Sequence, residues 1–200
     1  AYGVLLNQLG VRAVTYATED IDIARREALA FAALPEKSFI EMLRESGIAF
    51  VEVPQLDVRH PSTSFKQQGV SRCHVDLLVP SIDETFPQVA VPELKAHATG
   101  LPYLAYLLGA DQMAPLLASE GSCLVRVPLP ERYALHKLLV SQLRAERGLK
   151  SGNDIVQATV LMAALAEREP GALSDAAEAL PTSACRRVAQ VLETLRPQLA

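Results

Sequence analysis

The sequence has no tryptophan and only five phenylalanines and five tyrosines in 200 residues. Aromatic side chains interleaved with basic ones are too sparse for a stacking platform of the kind that binds single-stranded nucleic acid. Only three cysteines occur, Cys73, Cys123 and Cys185, odd in number and far apart. They form no CxxC pair and no secreted disulfide framework, which predicts a reducing, cytoplasmic setting. No apolar run approaches the ~18 residues of a membrane span, and no signal-peptide pattern is visible, so no membrane partner is expected. The P-loop, GxGxxG, HExxH and GxSxG motifs are missing, and His60, His97 and His136 have no metal-ligand spacing among themselves. A net charge of -4 supplies no global basic field for nucleic acid. There is no internal repeat and no low-complexity tract.

What is present describes a globular chain: half the residues are hydrophobic and 21% are charged, enough apolar material to bury a core. "AYGVLLNQL" has helical apolar spacing with Gly10 as its stop. With no initiator Met, it reads as the middle of a helix, which predicts a truncation at Ala1. "VRAVTYATEDIDIA" suits a strand or hairpin, "ARREALAFAAL" a short helix, "EKSFIEMLRESG" an amphipathic helix ended by Gly47, and "IAFVEVP" a strand closed by Pro54. "TSFKQQGVSRCHVDLLVP" reads as a hairpin turning near Gly69. Apolar segments at Met113 to Ala118 and Cys123 to Val127 could add strands. From Pro130 the texture becomes helical. "ERYALHKLLVSQLRAERG" ends at Gly148, "NDIVQATVLMAALAERE" stops at Pro170, and "GALSDAAEAL" and "SACRRVAQVLETL" are separated by Pro181. The expected layout is an α/β domain over 1–128, a mixed sheet flanked by helices, and a helical domain over 129–200.

Chemistry concentrates in "YATEDIDIARRE". Residues i and i+2 of a strand share a face, so Asp20 and Asp22 stand side by side while Ile21 and Ile23 enter the core behind. Two adjacent carboxylates repel unless a cation lies between them, and Mg²⁺ or Mn²⁺ with their preference for hard oxygen ligands would serve. The plainer reading of the pair is an acidic edge strand facing water. In "HVDLLVP", Asp76 is the single charged residue of an apolar strand. It is either hydrogen-bonded to backbone near the strand end, or a third carboxylate beside Asp20 and Asp22 that binds a second metal or deprotonates an attacking hydroxyl.

"TEDIDIA" followed by "HVDLL" resembles the DNA polymerase beta-type nucleotidyltransferase superfamily. "LPEKSFIEML", "HPSTSFK" and "RYALHKLLVSQ" resemble segments of a poorly characterised bacterial branch that joins a minimal nucleotidyltransferase domain to a helical tail. The resemblance runs from about Ala1 to Ala166. It implies that Asp20 and Asp22 bind Mg²⁺ and through it a nucleoside triphosphate. Asp76 would complete a two-metal site and activate the acceptor. The reaction would be in-line attack on the α-phosphate, carried by positioning and charge neutralisation. The superfamily's Gly-Gly or Gly-Ser turn before the DxD is absent from the chain as it stands, and Gly10 lies too late to replace it.

Cations for the phosphates are sought nearby. Tyr133, Lys137, Ser141 and Arg144 share one face of the helix from Glu131, which is either a nucleotide-facing surface or an ordinary solvated one. Lys66, in "HPSTSFKQQG", belongs either to a loop over the nucleotide or to a surface turn in which Pro61, Ser62 and Thr63 bond locally. His74 alternates with Asp76 and either lines the site or is a satisfied sheet histidine. Lys150 and Asp154, i and i+4, suit a helix-start ion pair. The expected function is a Mg²⁺-dependent nucleotidyltransferase acting from ATP or another NTP on an acceptor such as tRNA, a protein or a small molecule. The alternatives are a catalytically inactive nucleotide-sensing or protein-binding module, and the enzyme half of a toxin–antitoxin or phage-defence pair. The Ala- and Leu-rich C-terminal helices could pack on the α/β part or on a second copy, making a homodimer.

Overall fold

A computed structural model describes residues 1–11, 20–26, 36–55, 59–71, 73–118, 121–146 and 151–199, without the side chains of 118, 145–146 and 196–199. The expected helix "ARREALAFAAL", the stop at Gly148 and the pairing of Lys150 fall largely or wholly outside these residues. The chain divides into two compact units, one over 17–104 and one formed by 1–16 with 105–200. The division therefore groups the hairpin at 111–128 and the first helix with the C-terminal helices.

Among its described residues the first unit, 17–104, holds a six-stranded mixed sheet. Its strands are β1 (Asp20–Ala24), β2 (Phe50–Glu52), β3 (Ser64–Gln67), β4 (His74–Pro80), β5 (Gln88–Val91) and β6 (Ala96–Leu101). β4 is central. It runs parallel to β1 over His74 to Leu78, antiparallel to β3 over His74 to Asp76, and parallel to β6 over Leu78 to Pro80. A strand has two edges, so β1 takes one, while β3 and then β6 share the other. β3 and β4 form the expected hairpin, and Gly69 at φ 105° supplies the positive φ its turn requires. β5 pairs with β6 antiparallel.

Alternation in β4 is complete. Val75, Leu77 and Val79 are buried and join Phe50, Phe65, Val91 and Ala98 in one core cluster. Helix α2 (Phe39–Arg44) closes that core, its Phe39 ring meeting Phe65 edge-on at 5.1 Å. Its start is fixed by Glu41, which accepts from the Ser38 backbone at 2.6 Å and the Ser38 hydroxyl at 2.7 Å, and Gly47 at φ 81° follows its end. Arg25, just beyond β1, pairs with buried Glu93 in the turn before β6. Ile21 and Ile23, expected in the core, are 51% and 38% exposed. Among the described residues β1 pairs only with β4, and the core cluster gathers behind the other strands.

The second unit contains α1 (Tyr2–Gln8), the last three residues of the short helix α3 (Leu104–Leu107), the two-stranded hairpin β7 (Asp111–Ala118) and β8 (Gly121–Pro128), and four helices. These are α4 (Pro130–Glu146), α5 (Gly152–Arg168), α6 (Ala172–Glu178) and α7 (Thr182–Leu199). α4 is buried on nearly every side, with Ala134, Leu138 and Leu139 inaccessible to solvent, and the later helices pack around it. α7 turns the stripe Ala184, Val188, Val191 and Leu195 inward, the spacing of one helical face. Tyr106 of α3 donates its hydroxyl to the Ala176 carbonyl at 2.9 Å, and Arg132 of α4 lies over its ring at 5.0 Å. The α/β class, the mixed sheet and the C-terminal helical run are those expected. No helix among the described residues is long and apolar enough to cross a membrane.

Candidate functional site

Strand pairing decides which polar residues meet. In the parallel ladder of β1 with β4, Asp20 lies opposite His74 and Asp22 opposite Asp76. In the antiparallel ladder of β3 with β4, Ser64 lies opposite Asp76 and Lys66 opposite His74. In-register partners share a face, as do residues i and i+2. Asp20, Asp22, His74, Asp76, Ser64 and Lys66 therefore occupy one face of the sheet, and the core cluster occupies the other. Strands are spaced ~4.8 Å apart, and residues i and i+2 are ~6.6 Å apart along one. The three carboxylates thus rise from three neighbouring points of one lattice.

Burial grades across this face. Asp20, Asp22 and Lys66 are exposed, while His74, Asp76 and Ser64 are half-buried. Asp76 Oδ1 accepts a hydrogen bond from the Ser64 hydroxyl, its in-register neighbour. The segment carrying Ser64 is itself braced. Ser62 Oγ donates to the Ser64 carbonyl at 2.7 Å, and buried Thr63 takes the Thr99 hydroxyl at 2.8 Å. Ser62 thus bonds locally just before β3, which carries Lys66, while the Thr63 hydroxyl bonds to Thr99 of β6.

The donor set suits a hard divalent cation: three carboxylates, on one face, within one strand spacing and one two-residue step of each other. As the side chains stand, no three carboxylate, imidazole or thiol groups among the described residues converge into a cage. Asp76 commits one oxygen to Ser64. A cavity of about 280 Å³ opens on the opposite side of the sheet, walled by Ser38, Glu52, Phe65 and Lys95 among others, and contains none of the three aspartates.

Lys137, Ser141 and Arg144 belong to the other unit. There Lys137 Nζ and Arg144 Nη1 each lie 2.8 Å from the carboxylate of Asp154, one on each oxygen. Asp154 is almost fully buried in the first turn of α5. Lys137 also lies 5.4 Å from the centre of the Tyr133 ring. Ser141 is buried and donates its hydroxyl to the Leu138 carbonyl of its own helix, at 2.7 Å. The two cations expected on one helix face are therefore together, and the group that gathers them is a carboxylate of the next helix. The spacing of Asp154 within its own helix held no sign of this. Ser64, likewise, was met in the sequence only as part of a hydroxyl-rich turn.

A family model described as Nucleotidyltransferase matches the chain over residues 1–181. No curated protein and no solved structure matches it.

Proposed function

The chain belongs to that nucleotidyltransferase family, and from this premise we propose that the face bearing Asp20, Asp22 and Asp76 is where it holds Mg²⁺ and a nucleoside triphosphate. The observation that carries the reading is the register that sets Asp22 beside Asp76 and Asp20 on the same face. The reaction is transfer of a nucleoside monophosphate to a hydroxyl acceptor. The acceptor oxygen forms a bond to the α-phosphorus, the α–β bridging P–O bond breaks, and pyrophosphate leaves with that electron pair. Asp20 and Asp22, exposed and adjacent, are the ligands that hold the metal and through it the triphosphate. Asp76, half-buried, is the third ligand and takes up the acceptor's proton. The metal, when bound, neutralises charge on the phosphates and polarises the α-phosphoryl group.

Lys66 stands on the same face and is the residue assigned to phosphate oxygens as a point charge. Lys137 and Arg144 would bind a nucleotide by exchanging Asp154 for phosphate, a role we keep as a second assignment. Ser141 would have to release its helix carbonyl to take part. Acceptors of the class RNA, protein or small metabolite all offer the hydroxyl this chemistry needs.

The test is binding of Mg²⁺–NTP by calorimetry together with pyrophosphate release. Wild type should bind, and an Asp20→Asn, Asp22→Asn double variant should lose binding while keeping its circular dichroism spectrum. Equal binding by the two proteins, or binding by neither, would sink the assignment.

A further inference from the structure

We infer that Ser64 is a positioning residue for Asp76, holding that carboxylate in the orientation the metal–nucleotide site uses. The inference rests on the reading of the carboxylate face given above. A carboxylate on a strand has two soft torsions and two equivalent oxygens. Left alone on a half-hydrated sheet face, it would spread over several rotamers. Here Oδ1 is committed to the Ser64 hydroxyl, which leaves Oδ2 as the oxygen for other work.

Ser64 can perform this task because it is fixed. Its backbone N–H donates to Ser62 Oγ at 3.3 Å, and its carbonyl accepts from the same hydroxyl at 2.7 Å. Thr63, one residue earlier, is buried. Its hydroxyl accepts from Thr99 at 2.8 Å and its carbonyl from the Leu77 amide at 3.1 Å. Phe65, one residue later, is locked in the core cluster. The segment 62–65 is thus tied to its own turn, to β4 and to β6. The Ser64 hydroxyl does not serve the core, which lies on the other face, and its proton goes to Asp76. Hydrogen-bond partners of metal-ligating groups fix ligand orientation, and losing one typically lowers metal affinity about 10–100-fold.

The experiment measures binding of Mn²⁺–α,β-methylene-ATP to the chain by calorimetry, with thermal melting as a check on folding. Variants are Ser64→Ala, Ser64→Thr and Asp76→Asn. Ser64→Ala should bind about 10–100-fold more weakly while melting near wild type. Ser64→Thr keeps the hydroxyl on a residue that strands accept, and should bind like wild type. A purely structural role for Ser64 would not separate alanine from threonine in affinity while their melting stays alike. If Asp76→Asn loses affinity and Ser64→Ala does not, the inference is overturned and the carboxylate site survives. If Asp76→Asn binds like wild type, Asp76 is no ligand and the inference falls. Failure of the wild-type chain to bind would remove both.

Discussion

Replacing Asp154 by alanine should cost the protein far more than its position in a helix's first turn suggests. Its side chain is 5% exposed and receives Lys137 Nζ and Arg144 Nη1 at 2.8 Å, one on each oxygen. Removing one partner of a buried ion pair costs ~3–5 kcal/mol, because the remaining charge stays desolvated. That figure must be reduced here, since the Lys137 side chain is 20% exposed and that of Arg144 38%. Arg144 can recover water, so its share falls to the ~0–1 kcal/mol of a surface pair. Lys137 is better shielded, and its bond keeps the ~1.5–3 kcal/mol of a hydrogen bond to a charged group. Asp154→Ala is then expected to lose about 2–4 kcal/mol, Lys137→Met about 1.5–3 and Arg144→Met under about 1. At about 2–4 °C per kcal/mol for a chain of this size, Asp154→Ala should melt roughly 5–15 °C lower. Melting followed by circular dichroism at 222 nm reads this directly, since α4 to α7 make up most of the helix among the described residues. The reasoning fails if Asp154→Ala melts with wild type, or if Arg144→Met costs as much as Lys137→Met. The same variants separate two roles. If Lys137→Met melts normally but loses Mg²⁺–NTP binding, that lysine serves the nucleotide and not Asp154.

Burial raises the Tyr106 phenol to about 12, above the ~10 of an unfolded chain. The folded state then holds this proton more tightly, so the associated stability is intact below pH ~10 and lost as pH rises toward about 12. A late-ionising component in the tyrosine absorbance titration should disappear in Tyr106→Phe, and its persistence would refute the assignment. At Gly100 an added Cβ would meet Pro87 Cγ at 2.8 Å and the Pro87 carbonyl oxygen at 3.2 Å. Gly100→Ala should therefore lose about 1–3 kcal/mol in urea denaturation. Gly3 is the counterpart, exposed inside α1 with nothing within 4 Å of an added Cβ. Gly3→Ala should gain about 0.5–1 kcal/mol, and a loss there would count against α1 as a helix.

Legibility followed the range of the interactions involved. α4 to α7 could be read from apolar spacing broken at Pro170 and Pro181, since helix signals and helix bonds are both local. The β3–β4 hairpin was legible for the same reason, its turn marked by Gly69. β5 and β6 were not. "QVAV" lies between Pro87 and Pro92, and "AHATGL" has low strand propensity, with alanines and a glycine where β-branched residues are expected. The pairing of β6 with β4 and β5 makes it a strand, and its small residues suit the close approach of Pro87 to Gly100.

The same distinction runs through the candidate site. That Asp20 and Asp22 share a face follows from a two-residue step, but that Asp22 stands beside Asp76 depends on a ladder between strands more than fifty positions apart. The partner of Asp76 was also in view, as one hydroxyl in "HPSTSFK". Three consecutive hydroxyls, Ser62, Thr63 and Ser64, offer no local means of telling which turns toward the acid. Alternation about the core settles it. Phe65 enters the core, so Ser64 must face the opposite way, and its register with β4 leaves Asp76 as its neighbour. The residue most informative about the orientation of Ser64 is therefore the apolar one beside it.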